Sequence, residues 1–152
     1  MNREILFKAK IKDNGKWVEG YYCKLDETTY CISEDYERHP VPTHHYILHE
    51  TMTDQGLPNR FLQFEIDPST ICQCTGLTDK NGKKIWENDI VKRTDLHVVS
   101  EPSVGFIEYD LENTSFLIHW MDKVEYSPTY HWKDRLEVIG NIFDNSDLLG
   151  VE

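Results

Sequence analysis

The chain predicts an all-β fold, mainly antiparallel strands in barrel-like sheets with short helical turns. Three observations support this. Apolar residues alternate with polar ones in short runs, the period of a half-buried strand. Glycine, proline, asparagine and aspartate interrupt those runs at close intervals. No stretch sustains a helical period over about 12 residues or more.

The elements follow in order. Ile5, Phe7, Ala9 and Ile11 alternate with mostly polar neighbours, Asp13-Asn14-Gly15 is a turn signal, and Trp17-Val18 resumes the apolar pattern. That combination predicts a β-hairpin. "TTYCIS" (28–33) predicts a short strand, "EDYERHPVPTHH" a loop and "HYILHE" (45–50) another strand. "TMTDQGLPN" breaks the pattern, and "RFLQFEI" then sets Phe61, Gln63 and Glu65 against Leu62, Phe64 and Ile66. Asp67-Pro68-Ser69 marks an internal boundary between a hairpin-containing segment, 1–66, and a β-barrel core, 67–152, expected to form one compact unit. Beyond it "TICQCTG", "DIVKR", "GFIEYD", "SFLIHW" and "LEVIGN" read as strands, and "SDLLG" as one helical turn.

With 39% hydrophobic residues and 12% aromatic, the 152-residue chain has material for a packed core. Its formal net charge is −11. Residues 1–66 hold 8 basic and 11 acidic residues, and residues 67–152 hold 8 and 16, so the second half carries most of the excess acid. Nucleic-acid binding needs clustered lysine and arginine to neutralise phosphates, and the basic residues here are not clustered. A nucleic-acid-binding barrel is therefore disfavoured. "MNREILFKAK" lacks an apolar signal core, and no run approaches membrane-spanning length. A cytoplasmic protein that makes no membrane contact is expected.

The most organised stretch is "CTGLTDKNGKKIWENDIV", residues 74–91. Asp79-Lys80-Asn81-Gly82 fits a type I turn with Gly82 left-handed, and Asp79 is placed to accept from backbone N–H groups two residues on. Asn88 precedes a β-branched run and tolerates positive φ, while Asp89 can hold that turn by bonding local backbone. Gly76, Asp79, Gly82, Asn88 and Asp89 thus form a structural turn motif. The competing reading takes Asp79, Glu87 and Asp89 as the carboxylates of a small hydrolase, because paired carboxylates serve acid–base and metal chemistry. An EF-hand loop is excluded, since its glycine falls five positions after the first aspartate and Gly82 falls three after Asp79.

Read as a whole, "DPSTICQCTGLTDKNGKKIWENDIV" resembles the signature of the YopX family, small proteins encoded by bacteriophages and prophages. That signature runs Asp-Pro-x-Thr, Gln-x-Thr-Gly-Leu, Asp-x-x-Gly, then Ile-aromatic-Glu-Gly-Asp-Ile-Val. Gln73, Thr75, Gly76, Leu77, Asp79, Gly82, Ile85, Trp86, Glu87, Asp89, Ile90 and Val91 stand in its places. "GKWVEGYY", "GFIEYD" and "EVIGNIFDN" resemble its other blocks. Asn88 departs from the family's usual glycine, and Cys72 and Cys74 stand where glycine and tyrosine are common. The resemblance implies a β-rich protein built from barrel-like sheets. It brings no catalytic residue or cofactor to carry over.

Other constellations give weaker signals. Cys23, Cys31, Cys72 and Cys74 contain no Cys-x-x-Cys pair and read as reduced thiols. His39, His44, His45 and His49 cluster in sequence, but on a strand His45 and His49 lie about 13 Å apart, too far for one ion. No nucleophile elbow, phosphate loop or dinucleotide fingerprint occurs, so no catalytic, cofactor or metal residue is assigned. The stretch 121–135 is longer than a hairpin needs and carries Tyr126, Tyr130, His131 and Trp132, which are candidate partner anchors. The functional expectation is a non-enzymatic, self-associating interaction module that contacts another copy of itself or a host or phage protein.

Overall fold

The structure is a computed structural model that describes residues 4–94, 103–122 and 126–150. The chain divides into two compact units, Leu6–Ile71 and the part from Cys72 onward. The division falls just after the 3-10 turn Pro68–Thr70, where the Asp67 carboxylate caps the turn by accepting from the Ser69 N–H at 2.9 Å.

The first unit contains β1 (Phe7–Lys10), β2 (Trp17–Asp26), β3 (Thr43–Thr51) and β4 (Arg60–Glu65). They are antiparallel neighbours in the order β4-β3-β2-β1. Ala9 lies opposite Val18, Tyr22 opposite Ile47, and Ile47 opposite Phe64. Directly opposed residues share a face, so this register gathers one apolar face. Ala9, Val18, Ile47 and Ile66 are its buried core, with Phe7, Ile11, Tyr22 and Phe64 packed against them. The alternation along the first hairpin is what this core uses.

Two local expectations are corrected here. "TTYCIS" forms no strand, and the stretch after it is not all loop: α1 (Ser33–Arg38) occupies it. Glu34 and Asp35 stand in its first turn and Arg38 in its last, matching the helix dipole, and Arg38 reaches Glu34 at 3.7 Å. Pro40 soon follows and limits the helix to a short one.

The second unit contains β5 (Cys72–Thr78), β6 (Lys84–Trp86), β7 (Asp89–Arg93), β8 (Val104–Asp110), β9 (Ser115–Trp120), β10 (Tyr126–Pro128) and β11 (Leu136–Asn141). β5 pairs with β6, and the remaining five form a sheet in the order β10-β9-β8-β7-β11. Ile85, Val91, Ile107, Ile118, Trp120, Leu136 and Val138 make its core. The segment 121–135, expected as loop, carries β10 and the 3-10 turns Thr129–His131 and Lys133–Arg135. The helical turn expected at "SDLLG" is the 3-10 turn Ser146–Leu149, ended by Gly150 at φ 66°.

The fold class is thus mainly antiparallel β with short helical turns, but the sheets do not close into a barrel. This corrects the barrel-like expectation, and the physical reason lies at the edges. Closure needs the two outer strands to pair. Here β10 is three residues long and ends in Pro128, and a backbone N–H of β11 is taken by a side chain, as described below.

The β8–β9 hairpin turns through Leu111–Glu112–Asn113–Thr114, with Asp110 accepting from the Glu112 N–H at 2.9 Å. Thr114 sits at φ 51°, a region that β-branched residues resist. Thr114→Gly should therefore raise stability by about 0.5–1 kcal/mol, the relieved strain exceeding the entropy cost of glycine. Thermal melting measures this, and a lower melting temperature for the variant would contradict the turn geometry.

Candidate functional site

The stretch 73–91 folds as strand, turn, strand, turn, strand. At the first turn the Asp79 N–H donates to the Lys83 carbonyl at 2.8 Å, and the Gly82 N–H donates to the Asp79 carbonyl at 2.9 Å. Gly82 has φ 81° and Gly76 φ 80°. The Asp79 carboxylate is 5% exposed. Its Oδ1 accepts from the Asn81 and Lys83 N–H groups at 2.8 and 2.9 Å, and its Oδ2 accepts from the Val138 N–H at 3.0 Å. The last bond spans 59 positions and ties the turn to β11. Lys80 adds two ties, N–H to the Leu136 carbonyl at 3.0 Å and Nζ to Glu137 at 2.7 Å.

At the second turn Asn88 has φ 64°. Its N–H donates to the Ile107 carbonyl at 2.8 Å, and its carbonyl accepts from the Ile142 N–H at 3.0 Å. Asp89 is 2% exposed, and its Oδ2 accepts from the Trp86 N–H at 2.9 Å. Asp79, Gly82, Asn88 and Asp89 therefore lie at the two turns of the connector, whereas Gly76, expected in the turn motif, lies within β5 where its register with β6 is irregular.

The three carboxylates have separate backbone partners. Burial pushes the Asp79 carboxyl upward, but N–H donation from Val138, Lys83 and Asn81 more than offsets it and holds the group below its ordinary value. Glu87 shifts the other way: burial raises it, the Gln73 N–H at 3.3 Å pulls it back, and the nearby charge of Glu108 raises it further. Asp79 and Asp89 are acceptors for buried backbone donors, a structural role.

The histidines separate in space and take individual roles. The two ring nitrogens of His44 lie 2.9 Å from Glu27 and 3.0 Å from Glu65, and these contacts raise its pKa. His45 hydrogen-bonds the Tyr22 hydroxyl at 2.7 Å, and His49 the Glu19 carbonyl at 2.8 Å. Among the described residues no group of three or more His, Cys, Asp or Glu is arranged to hold a metal. The four cysteines are free thiols, with Cys72 buried and receiving a long hydrogen bond from Asn88 Nδ2 at 3.6 Å.

The aromatic stretch divides as well. Trp132 points into the unit, packs against its core, and meets Trp120 edge-on at 6.0 Å. Arg93 lies 4.5 Å from its ring centre and Arg135 5.8 Å. Tyr130 faces solvent, 61% exposed, with the His131 ring 4.2 Å behind it. The side chain of Tyr126 lies outside the described residues.

Two surfaces escaped the sequence reading. One is the outer strand β4, where Phe61 is 55% and Leu62 49% exposed. The other is a cleft of about 290 Å³ bordered by Gln73, Thr75 and Leu77 of β5, by Tyr109 and Phe116, and by Tyr130. The i, i+2, i+4 spacing along β5 hinted at a shared face, but nothing local brings the hairpin aromatics to it.

These features define a two-unit antiparallel β protein whose most organised motif is architectural. The family model described as YopX protein matches residues 6–150, and the chain belongs to the YopX family. It is similar in fold to the crystal structure of protein EF1440 from Enterococcus faecalis, with a TM-score of 0.53, 20% identity, and 96% of this chain and 98% of that one covered. No curated protein matches the chain in sequence. No helix among the described residues is long and apolar enough to cross a membrane.

Two outcomes follow from the connector. Asp79→Asn should cost about 2–3 kcal/mol, because an amide cannot accept from all three N–H groups. Since the native pKa of Asp79 is depressed, its charge-dependent stability is complete above about pH 4 and fades as the pH falls through the lowered native value. Urea unfolding of both proteins across that window should show the gap narrowing in acid. At the second turn, Asn88→Gly should leave the melting temperature nearly unchanged, whereas Asn88→Val should cost about 1–2 kcal/mol. Equal tolerance of glycine and valine would rule out the positive-φ role.

Proposed function

We propose that this YopX-family chain is a non-enzymatic, self-associating interaction module, a phage or prophage accessory protein working in the bacterial cytoplasm. The observation that carries this reading is β4. It is the outer strand of its sheet, it follows β3 in register from Tyr46–Glu65 to Thr51–Arg60, and it exposes apolar side chains on both faces. Phe61 stands on the face of Tyr21, edge-on at 5.9 Å, and Leu62 on the opposite face. An outer strand that is apolar on both faces is a template for another strand. A second copy is the natural cover, because antiparallel pairing of β4 about a two-fold axis with Leu62 facing Leu62 joins the Leu62 faces and sets Phe61 beside Gln63 of the second copy in one isologous interface. The exposed Tyr130 and His131 remain as a second contact surface for a host or phage protein.

The test is light scattering of the purified chain over a concentration series, with circular dichroism as the check on folding. The wild type should dimerise with Kd of about 10 µM or tighter, and Phe61→Lys and Leu62→Lys should each be folded monomers. A wild type that stays monomeric at about 100 µM, or lysine variants that still dimerise, would overturn the reading.

A further inference from the structure

We propose that the cleft between β5 and the β8–β9 hairpin binds a neutral sugar ring, either free or as a terminal residue of a glycan. The proposal is independent of β4, which belongs to the other unit, and it assigns Tyr130 to a sugar in place of the protein contact offered for it above.

The half of the chain from Asp67 onward carries 16 acidic and 8 basic residues, yet every side chain bordering the cleft is uncharged. An ionic ligand would lose hydration there without gaining a countercharge, which is unfavourable. A neutral ligand meets no such cost.

A sugar presents an apolar ring face bordered by hydroxyls, so its site needs an aromatic surface beside neutral donors and acceptors. Tyr130 supplies an exposed ring on a fixed base. Thr129, 1% exposed, precedes it and donates its hydroxyl to the Phe116 carbonyl at 3.0 Å. Tyr109 and Phe116 line the cleft as an edge-on pair at 5.1 Å. The polar groups come from Gln73 and Ser115. The Gln73 backbone is held on both sides by Glu87, its N–H donating to Oε2 at 3.3 Å and its carbonyl accepting from the Glu87 N–H at 2.9 Å. Its carboxamide makes no hydrogen bond to the described residues, and neither does the Ser115 hydroxyl. A carboxamide offers donor and acceptor side by side, which suits adjacent ring hydroxyls. The Thr75 hydroxyl is already committed to the Ile85 carbonyl and the Leu77 N–H.

At about 290 Å³ the cleft is at the small end of ligand sites, suited to a single ring and not to a dinucleotide.

The experiment is two-dimensional NMR of the isotope-labelled full chain, titrated with glucose, galactose and N-acetylglucosamine to about 20 mM, with galacturonate and glucosamine as charged counterparts. At least one neutral sugar should give saturable shifts at the Gln73 side-chain amide, Ser115 and Tyr130, with Kd of about 1–10 mM. Its charged counterparts should bind at least about tenfold more weakly. Tyr130→Ala, at an exposed ring, should weaken the neutral sugar about tenfold while the fold persists, and Gln73→Leu should do the same. Should Gln73→Leu unfold, Tyr130→Ala alone decides. The proposal is overturned if no neutral sugar gives saturable shifts, if the shifts map elsewhere, if galacturonate binds equally well, or if binding survives Tyr130→Ala. A proline-rich peptide that saturates the cleft when no sugar does would assign it to protein recognition instead.

Discussion

The second unit depends on one buried carboxylate. Asp79 closes its own turn through the N–H groups of Asn81 and Lys83, then reaches a backbone donor on β11 through its other oxygen. A carboxylate at 5% exposure is unfavourable unless its lone pairs are filled, and three N–H groups fill them. The same bond satisfies a donor on the outer strand of the five-stranded sheet, so it both docks the β5–β6 hairpin and ends lateral growth of the sheet at β11. An open sheet can stop there because its edge is already occupied.

Asn88 and Asp89 complete the connector by the same physics. Asn88 adopts positive φ so that its N–H and carbonyl face opposite ways, toward Ile107 and Ile142, while Asp89 holds the Trp86 N–H. Carboxylates at this spacing resemble acid–base machinery when read as a list of residue types. Their partners show that all three accept from backbone N–H groups, Glu87 from Gln73, although burial raises the Glu87 carboxyl. The connector therefore accounts for most of the order in this stretch.

Surfaces available for binding lie where neither core nor connector uses the side chains. Trp132 is half-buried against the core with Arg93 and Arg135 near its ring, while its neighbour Tyr130 belongs to the surface. Two rings two positions apart in sequence thus do different work, Tyr130 within the 3-10 turn Thr129–His131 and Trp132 between that turn and the next. In the first unit β4 has a packed neighbour on one side only, so Phe61 and Leu62 remain exposed although their alternation matches that of the inner strands.

By itself the sequence determined what depends on neighbours a few residues away. The period of two set which side chains of β1, β2 and β3 enter the core, and turn chemistry put Gly82 and Asn88 at positive φ. The Gln73-to-Val91 pattern also carried the resemblance to the YopX family. Tertiary structure decided what depends on pairing across long separations. It made β4 an outer strand, gave Asp79 its third donor 59 residues away, turned Trp132 inward, and placed Tyr109, Phe116 and Tyr130 beside Gln73. It also left the sheets open, because a barrel closes only when its two outermost strands meet. Alternation fixes the face of a strand but not its neighbour, and the neighbour decides whether an apolar residue becomes core or surface.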